Sequence, residues 1–197
     1  HLGQEIKIGR RGSITGNLSV SGKQGHVAYQ HLADNPMPRL VKMIDALNDH
    51  IFDEGSEFFP PTNLEITTID VGNTADNVIP ESGTAKFNIR FNDHWNEESL
   101  SQKLHEILED TGFEYNLELI CGSKSFLTQP GTWSETVKTA VKDITGKTPE
   151  FTTNGGTSDA RFMAQYCPVV EFGGVNATIH QILSLIHISE PTRPSQI

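Results

Sequence analysis

Residues 85–91 read Ala-Lys-Phe-Asn-Ile-Arg-Phe. Apolar and polar side chains alternate at every step, the period of a strand with one face in a core and the other in water. Ala85, Phe87, Ile89 and Phe91 make the inward face. Working back, Ser13 to Ser21 alternates in the same way, with Ile14, Leu18 and Val20 set against Thr15, Asn17 and Ser19, and Gly22 closes the run. Between these two strands, Pro36 and Pro38 lead into a helical pattern with Leu40, Val41, Ile44, Leu47 and Ile51 on one face. Pro60-Pro61 marks a linker, Leu64, Ile66 and Ile69 mark a strand, and residues 77–80 mark a turn. Working forward, Asn96-Glu97-Glu98 caps a helix carrying Leu100, Leu104, Ile107 and Leu108, ended by Gly112. Glu97-Glu98 there serves the helix dipole. Tyr115, Leu117 and Leu119 make a fourth strand. The order is β-α-β-β-α-β, the ferredoxin-like unit, over residues 12–124. With both helices on one face, its open edges suit pairing with a copy of itself.

The rhythm then changes. Glu135 to Ile144 is helical in pattern and ends at Gly146, and Phe151 to Thr153 reads as a short strand. The run Asn154-Gly155-Gly156-Thr157-Ser158-Asp159 follows, then a helix from Ala160 to Gln165 and a buried-type strand from Val169 to Phe172. This is α/β material, too short for a full α/β domain. The chain opens without methionine at His1, and the start is expected to be a cut. Residues 182–197 carry Pro191 and Pro194 with no period and are expected to be a non-native or read-through tail.

The 197 residues hold 15 Lys plus Arg and 25 Asp plus Glu, a net charge of −10. That balance repels phosphate and makes nucleic acid and anionic membrane poor partners. No apolar run reaches the roughly 20 residues of a membrane helix. Two cysteines, Cys121 and Cys167, form no CxxC, which argues against a disulfide framework or a cysteine zinc site. The expected setting is cytoplasmic.

Glycines followed by hydroxyls at residues 155–159 expose backbone N–H groups at a strand-to-helix junction, which suits an anion. On spacing alone the better reading of the same residues is a tight turn and a cap, with Thr157 or Ser158 at the N-cap. His180 follows a strand in a loop of Gly, Asn and Thr, where ligands collect, although a lone histidine is more often a plain surface or core residue. His26, Tyr29 and His31 concentrate in one loop after a strand, and His26 could donate to a developing oxyanion. Arg10, Arg11 and Arg90 could each bind a carboxylate bidentately or form a surface ion pair. A hydrolytic metal centre needs about three protein ligands and a base, and one histidine does not supply that set.

The runs Gly9-Arg10-Arg11-Gly12-Ser13, Gly25-His26-Val27-Ala28-Tyr29, His31-Leu32-Ala33-Asp34-Asn35-Pro36, Phe58-Phe59-Pro60-Pro61-Thr62, Asn77-Val78-Ile79-Pro80, Gly155-Gly156-Thr157-Ser158-Asp159 and Val175-Asn176-Ala177-Thr178-Ile179-His180 resemble, in order, the succinyl-diaminopimelate desuccinylase family. That family belongs to the dizinc aminoacylase and carboxypeptidase group. The resemblance implies a homodimeric zinc hydrolase, with cobalt also suited to its ligands, whose small-molecule substrate is N-succinyl-LL-2,6-diaminopimelate, in lysine and diaminopimelate biosynthesis. It implies a ferredoxin-like dimerisation domain at residues 12–124, inserted between the end of a first catalytic segment at 1–11 and the last part of an α/β catalytic domain at 125–181. It assigns His180 to the metal, and His26 to the partner subunit's site as the group that polarises the scissile carbonyl. Arg10, Tyr29, Asn77, Arg90, Gly156, Thr157 and Asn176 match substrate-binding positions. Asp76 stands beside Asn77 where an amide is expected. The family's other metal ligands and general base have no match in this chain, so the chain alone is expected to be an inactive fragment. Another deacylase of the group, such as an acetylornithine deacetylase, and a non-catalytic dimerising module stay open as alternatives.

Overall fold

The computed structural model describes residues 5–156 and 158–173. β1 (Glu5–Lys7) and β2 (Gly9–Arg10) lead into the long β3 (Gly12–Ser21). A short β4 (Gly25–His26) and a stretch of 3-10 helix (Val27–Leu32) precede α1 (Met37–Asp49) and β5 (Asn63–Asp70). β6 (Val78–Ile79) and β7 (Ser82–Phe91) lead to α2 (Glu97–Glu109), β8 (Asn116–Ser123) and β9 (Phe126–Leu127). α3 (Thr132–Thr145), β10 (Glu150–Thr152), the one-turn α4 (Ala160–Met163) and β11 (Glu171–Phe172) follow.

β5, β7, β3 and β8 form one antiparallel sheet in that order, the ferredoxin-like arrangement. Its register pairs large with small residues. Gly12 faces Phe91, Gly16 faces Phe87, and Gly83 faces Val20. A Cβ at Gly12 or Gly16 would overlap the ring of Phe91 or Phe87, so these glycines are the floor on which the rings lie. Ile14, Leu18, Phe87, Ile89 and Phe91 are fully buried against α1 and α2.

α1 buries Leu40, Met43 and Leu47. Val41 and Ile51, expected on its inner face, are 64% and 75% exposed. The helix stops at Asp49, so Ile51 lies beyond it, and Met43 takes the inner position between Leu40 and Leu47. α2 has the expected start. The Asn96 side chain accepts from the Ser99 amide at 2.8 Å, and the Ser99 hydroxyl accepts from the Asn96 amide at 3.1 Å. Gly112 follows the helix with φ 73°.

The linker ahead of β5 is fastened by Asp53. Its carboxylate accepts from the Asn92 amide group at 2.6 Å, the Trp95 indole N–H at 2.7 Å, and the backbone of Gly55 and Thr62 at 2.8 and 3.1 Å. Burial pushes the Asp53 pKa up, but hydrogen bonds from Thr62, Trp95 and Gly55 outweigh it and hold the group below its ordinary value.

A second, smaller sheet runs β10-β1-β11, with β1 parallel to β10 and antiparallel to β11. Ile6 and Ile8 are buried here. Strand and helix come out shorter than expected. The Thr128 hydroxyl donates to the Val169 carbonyl at 2.7 Å and accepts from its amide at 2.9 Å, which removes Val169 from the ladder. α4 ends at Met163 in a turn before Pro168. α3 begins three residues earlier than the sequence pattern, at Thr132, and ends at Gly146 in the left-handed conformation.

Candidate functional site

The loop that holds His26, Tyr29 and His31 is more ordered than its composition suggests. β4 pairs with β6, His26 opposite Val78 and Gly25 opposite Ile79, so the expected turn at 77–80 is half strand. The Gly22 amide donates to the Glu81 carbonyl at 2.7 Å, and Ser21 faces Ser82. The β4–β6 ribbon therefore extends the β3–β7 ladder beyond its Ser21 end.

This ribbon brings His26, Asn77 and Tyr29 together. The Ala28 amide donates to His26 Nδ1 at 3.1 Å. In the neutral ring that contact puts the proton on Nε2, by inference from the hydrogen-bond pattern. Nε2 lies 3.5 Å from the Asn77 side-chain amide, and the Val27 amide donates to the Asn77 carbonyl at 3.0 Å. The Tyr29 ring sits 5.8 Å from that of His26 and 6.5 Å from that of His31. These side chains are exposed. The result is an exposed N–H donor on a two-stranded ribbon, a group able to donate to a developing oxyanion on a bound carbonyl.

A second group forms at the opposite end. Arg10, on β2, donates from Nε to Glu171 Oε2 at 2.8 Å and from Nη1 to the Asn154 carbonyl at 3.1 Å. The Ser158 hydroxyl donates to the same Glu171 oxygen at 2.9 Å. Ser158 is thus held by Glu171 and is not the helix cap; Asp159 takes that position without a side-chain bond. Gly156 lies in the loop beside Asn154, and its neighbour Gly155 has φ 101°. Arg90 sits on β7 between Ser13 and Asn63, at the same end of the sheet. Arg11 donates to the Asn63 side chain at 2.7 Å. Burial lowers the Arg11 pKa, and the charge of Arg90 lowers it further.

Arg10 and Arg90 belong to the Gly12 end of β3, and His26, Asn77 and Tyr29 to its Ser21 end. β3 is 10 residues long, so at roughly 3.3 Å per residue the two groups stand about 30 Å apart. Thr157, Asn176 and His180 lie outside the described residues. Among the described residues no three His, Cys, Asp or Glu side chains gather where they could hold a metal ion. Sequence reasoning missed Glu171, whose only signal was its place in a strand beside Gly173. No helix among the described residues is long and apolar enough to cross a membrane.

The ferredoxin-like sheet is a peptidase dimerisation domain: that family matches residues 8–116, and the chain belongs to it. Curated succinyl-diaminopimelate desuccinylases are its relatives. The enzyme of Xanthobacter autotrophicus is 53% identical over 92% of this chain and 48% of its own length. That of Parvibaculum lavamentivorans is 50% identical over 96% of this chain and 49% of its own length. The chain thus spans about half the length of the curated relatives it matches. Two solved structures share the fold. An M20 family metallo-carboxypeptidase from Sulfolobus solfataricus aligns with TM-score 0.69 at 15% identity, covering 81% of this chain and 56% of that one. A tripeptidase from Staphylococcus aureus aligns with TM-score 0.71 at 14% identity, covering 88% and 46%.

Proposed function

We propose that this chain supplies the dimerisation domain and the last catalytic segment of a zinc-dependent amide hydrolase that releases succinate from N-succinyl-LL-2,6-diaminopimelate. The observation that carries the reading is 50–53% identity to enzymes of that name, running through the dimerisation domain and on beyond residue 116. On this reading 12–124 is the dimerisation domain, with 1–11 and 125–181 flanking it in the catalytic domain, and the enzyme works in the cytoplasm on the route to lysine.

The distance along β3 supports a homodimer with a shared site. His26 and Asn77 stand too far from Arg10 and Arg90 to meet one substrate within one chain. Across a dimer each ribbon would serve the other subunit. His26, held as the Nε2–H tautomer by Ala28, donates to the amide oxygen as it gains charge. Asn77 and Tyr29 steady the same end of the substrate. Arg10 and Arg90 take substrate carboxylates, with Gly156, Thr157 and Asn176 contacting its backbone. His180 is this chain's contribution to the zinc centre. The described residues do not make that centre.

A chimera tests the reading. Residues 5–181 replace the matching half of the Xanthobacter autotrophicus enzyme. With zinc, the chimera is expected to release succinate from N-succinyl-LL-2,6-diaminopimelate, and this chain alone to release none. A folded, dimeric chimera that cleaves N-acetylornithine and spares the succinyl substrate would overturn it. The His26→Gln chimera is expected to lose about 100-fold or more in kcat, the scale of a lost oxyanion donor.

A further inference from the structure

Arg10, Ser158 and Glu171 converge where β2, the Gly155–Gly156 loop and β11 meet, and one oxygen of Glu171 joins the other two. Glu171 Oε2 accepts from both Arg10 Nε and Ser158 Oγ, at 2.8 and 2.9 Å. Arg10 Nη1 meanwhile donates to the Asn154 carbonyl at 3.1 Å. The Arg10 side chain is 13% exposed and that of Glu171 29%, so water competes weakly for these bonds. The backbone of Glu171 is itself fixed, since it faces Lys7 in the β1–β11 pair. The Lys7 ammonium is taken by Glu5 and Thr152, which leaves Arg10 as the cation that Glu171 holds.

A guanidinium carries five N–H donors in a fixed fork. In Arg10 the Nε side of the fork is bonded to Glu171, and Nη2 makes no hydrogen bond among the described residues. Held at both Nε and Nη1, the guanidinium presents Nη2 at a set angle, where it can give a charge-assisted hydrogen bond to a carboxylate. Ser158 is pulled onto the same oxygen, so the loop that follows β10 is registered against Arg10 by the same group.

We infer that Glu171 is a positioning residue: its carboxylate orients Arg10 and Ser158 so that Arg10 Nη2 donates to a ligand carboxylate. The role of that ligand as substrate rests on the proposed function. The clamp on Arg10 does not.

The test uses this chain, labelled with nitrogen-15, and reads the Arg10 Nε–H signal by NMR in the wild type, Glu171→Gln and Glu171→Ala, with succinate as probe. In the wild type that proton is expected to exchange slowly with water. Glu171→Gln keeps an acceptor and is expected to keep slow exchange with a shifted resonance. Glu171→Ala is expected to lose the signal to fast exchange and to bind succinate about tenfold more weakly, the effect of releasing a charge-assisted hydrogen bond. Unchanged exchange in Glu171→Ala, or succinate binding that is measurable and equal in all three, overturns the inference. If Glu171→Ala does not fold, Glu171→Gln decides, because an unshifted Arg10 resonance in it also overturns the inference. Wild type that shows the clamp yet binds no succinate counts against the substrate role of Arg10 and leaves the clamp established.

Discussion

The two sheets of this chain are held in different ways. The four-stranded sheet lies under two helices, and its strands carry their own instructions, with side chains alternating and glycines placed where rings must lie. The three-stranded sheet is assembled from residues 5–7, 150–152 and 171–172, so its pairs span more than 140 positions of sequence. In the first region the side chains between sheet and helices are buried, and the outward Val41, Ile69 and Ile120 are 64%, 58% and 69% exposed. In the second, Trp133, Ile144, Phe162 and Tyr166 are 51%, 85%, 53% and 84% exposed. The alternating strands and helix stripes close one core between sheet and helices, and the segments around the three-stranded sheet leave Trp133, Ile144, Phe162 and Tyr166 open.

The largest expected effect comes from removing a ring in the closed core. Phe87→Ala exposes the Gly16 floor and leaves a cavity, and it is expected to cost about 3–5 kcal/mol. Phe172→Ala, in the open sheet and 37% exposed, is expected to cost less than about 1 kcal/mol. The chain has two tryptophans, with Trp95 in the first region and Trp133 in the second. Urea unfolding followed through Trp95 in a Trp133→Phe background measures the first region directly. Similar costs for the two alanines would break the contrast.

Asp53→Asn comes next. The carboxylate gathers four donors, and loss of its charge is expected to cost about 1–3 kcal/mol at pH 7. The folded pKa lies below the unfolded value of about 3.9. The stability it contributes is therefore present above that unfolded value and lost as pH falls through the folded one. The gap between wild type and Asp53→Asn should close on acidification below about pH 4. A gap that stays constant down to pH 2 would show that Asp53 acts through shape and not through charge.

Asn96→Ala removes half of the reciprocal cap on α2 and is expected to cost about 1 kcal/mol, read from the same Trp95 transition. This residue also shows how much of the molecule the sequence carries. The cap, the α2 face, the strand alternation and the strand order all follow from local pattern. The core face of α1 was misread at Val41 and Ile51 because apolar side chains flank the stripe on both sides and only packing selects among them. The β4–β6 ribbon is not visible in the sequence because two-residue strands have no period to detect. Of the candidate site, motif alone singles out His26, Asn77 and Arg10, and the structure brings His26 and Asn77 together and sets Arg10 against Glu171. Glu171 was not, since its part depends on meeting residues 13 and 161 positions away, and no local spacing encodes that.

The smallest expected effect falls on the open surface. Ile144 is the most exposed large apolar side chain of α3. If water is its environment in solution, Ile144→Lys changes stability by no more than about 0.5 kcal/mol, because no buried contact is lost. The substitution should instead lower self-association, measured by sedimentation at rising concentration, since a charge now replaces an exposed apolar side chain. The opposite result is equally informative. A cost of about 2 kcal/mol or more would mean that Ile144 is covered in solution, and α3 would then be a second closed core whose covering comes from outside the described residues. The contrast between the two sheets would in that case be one of how far the partner lies along the chain, and not of how well each region is packed.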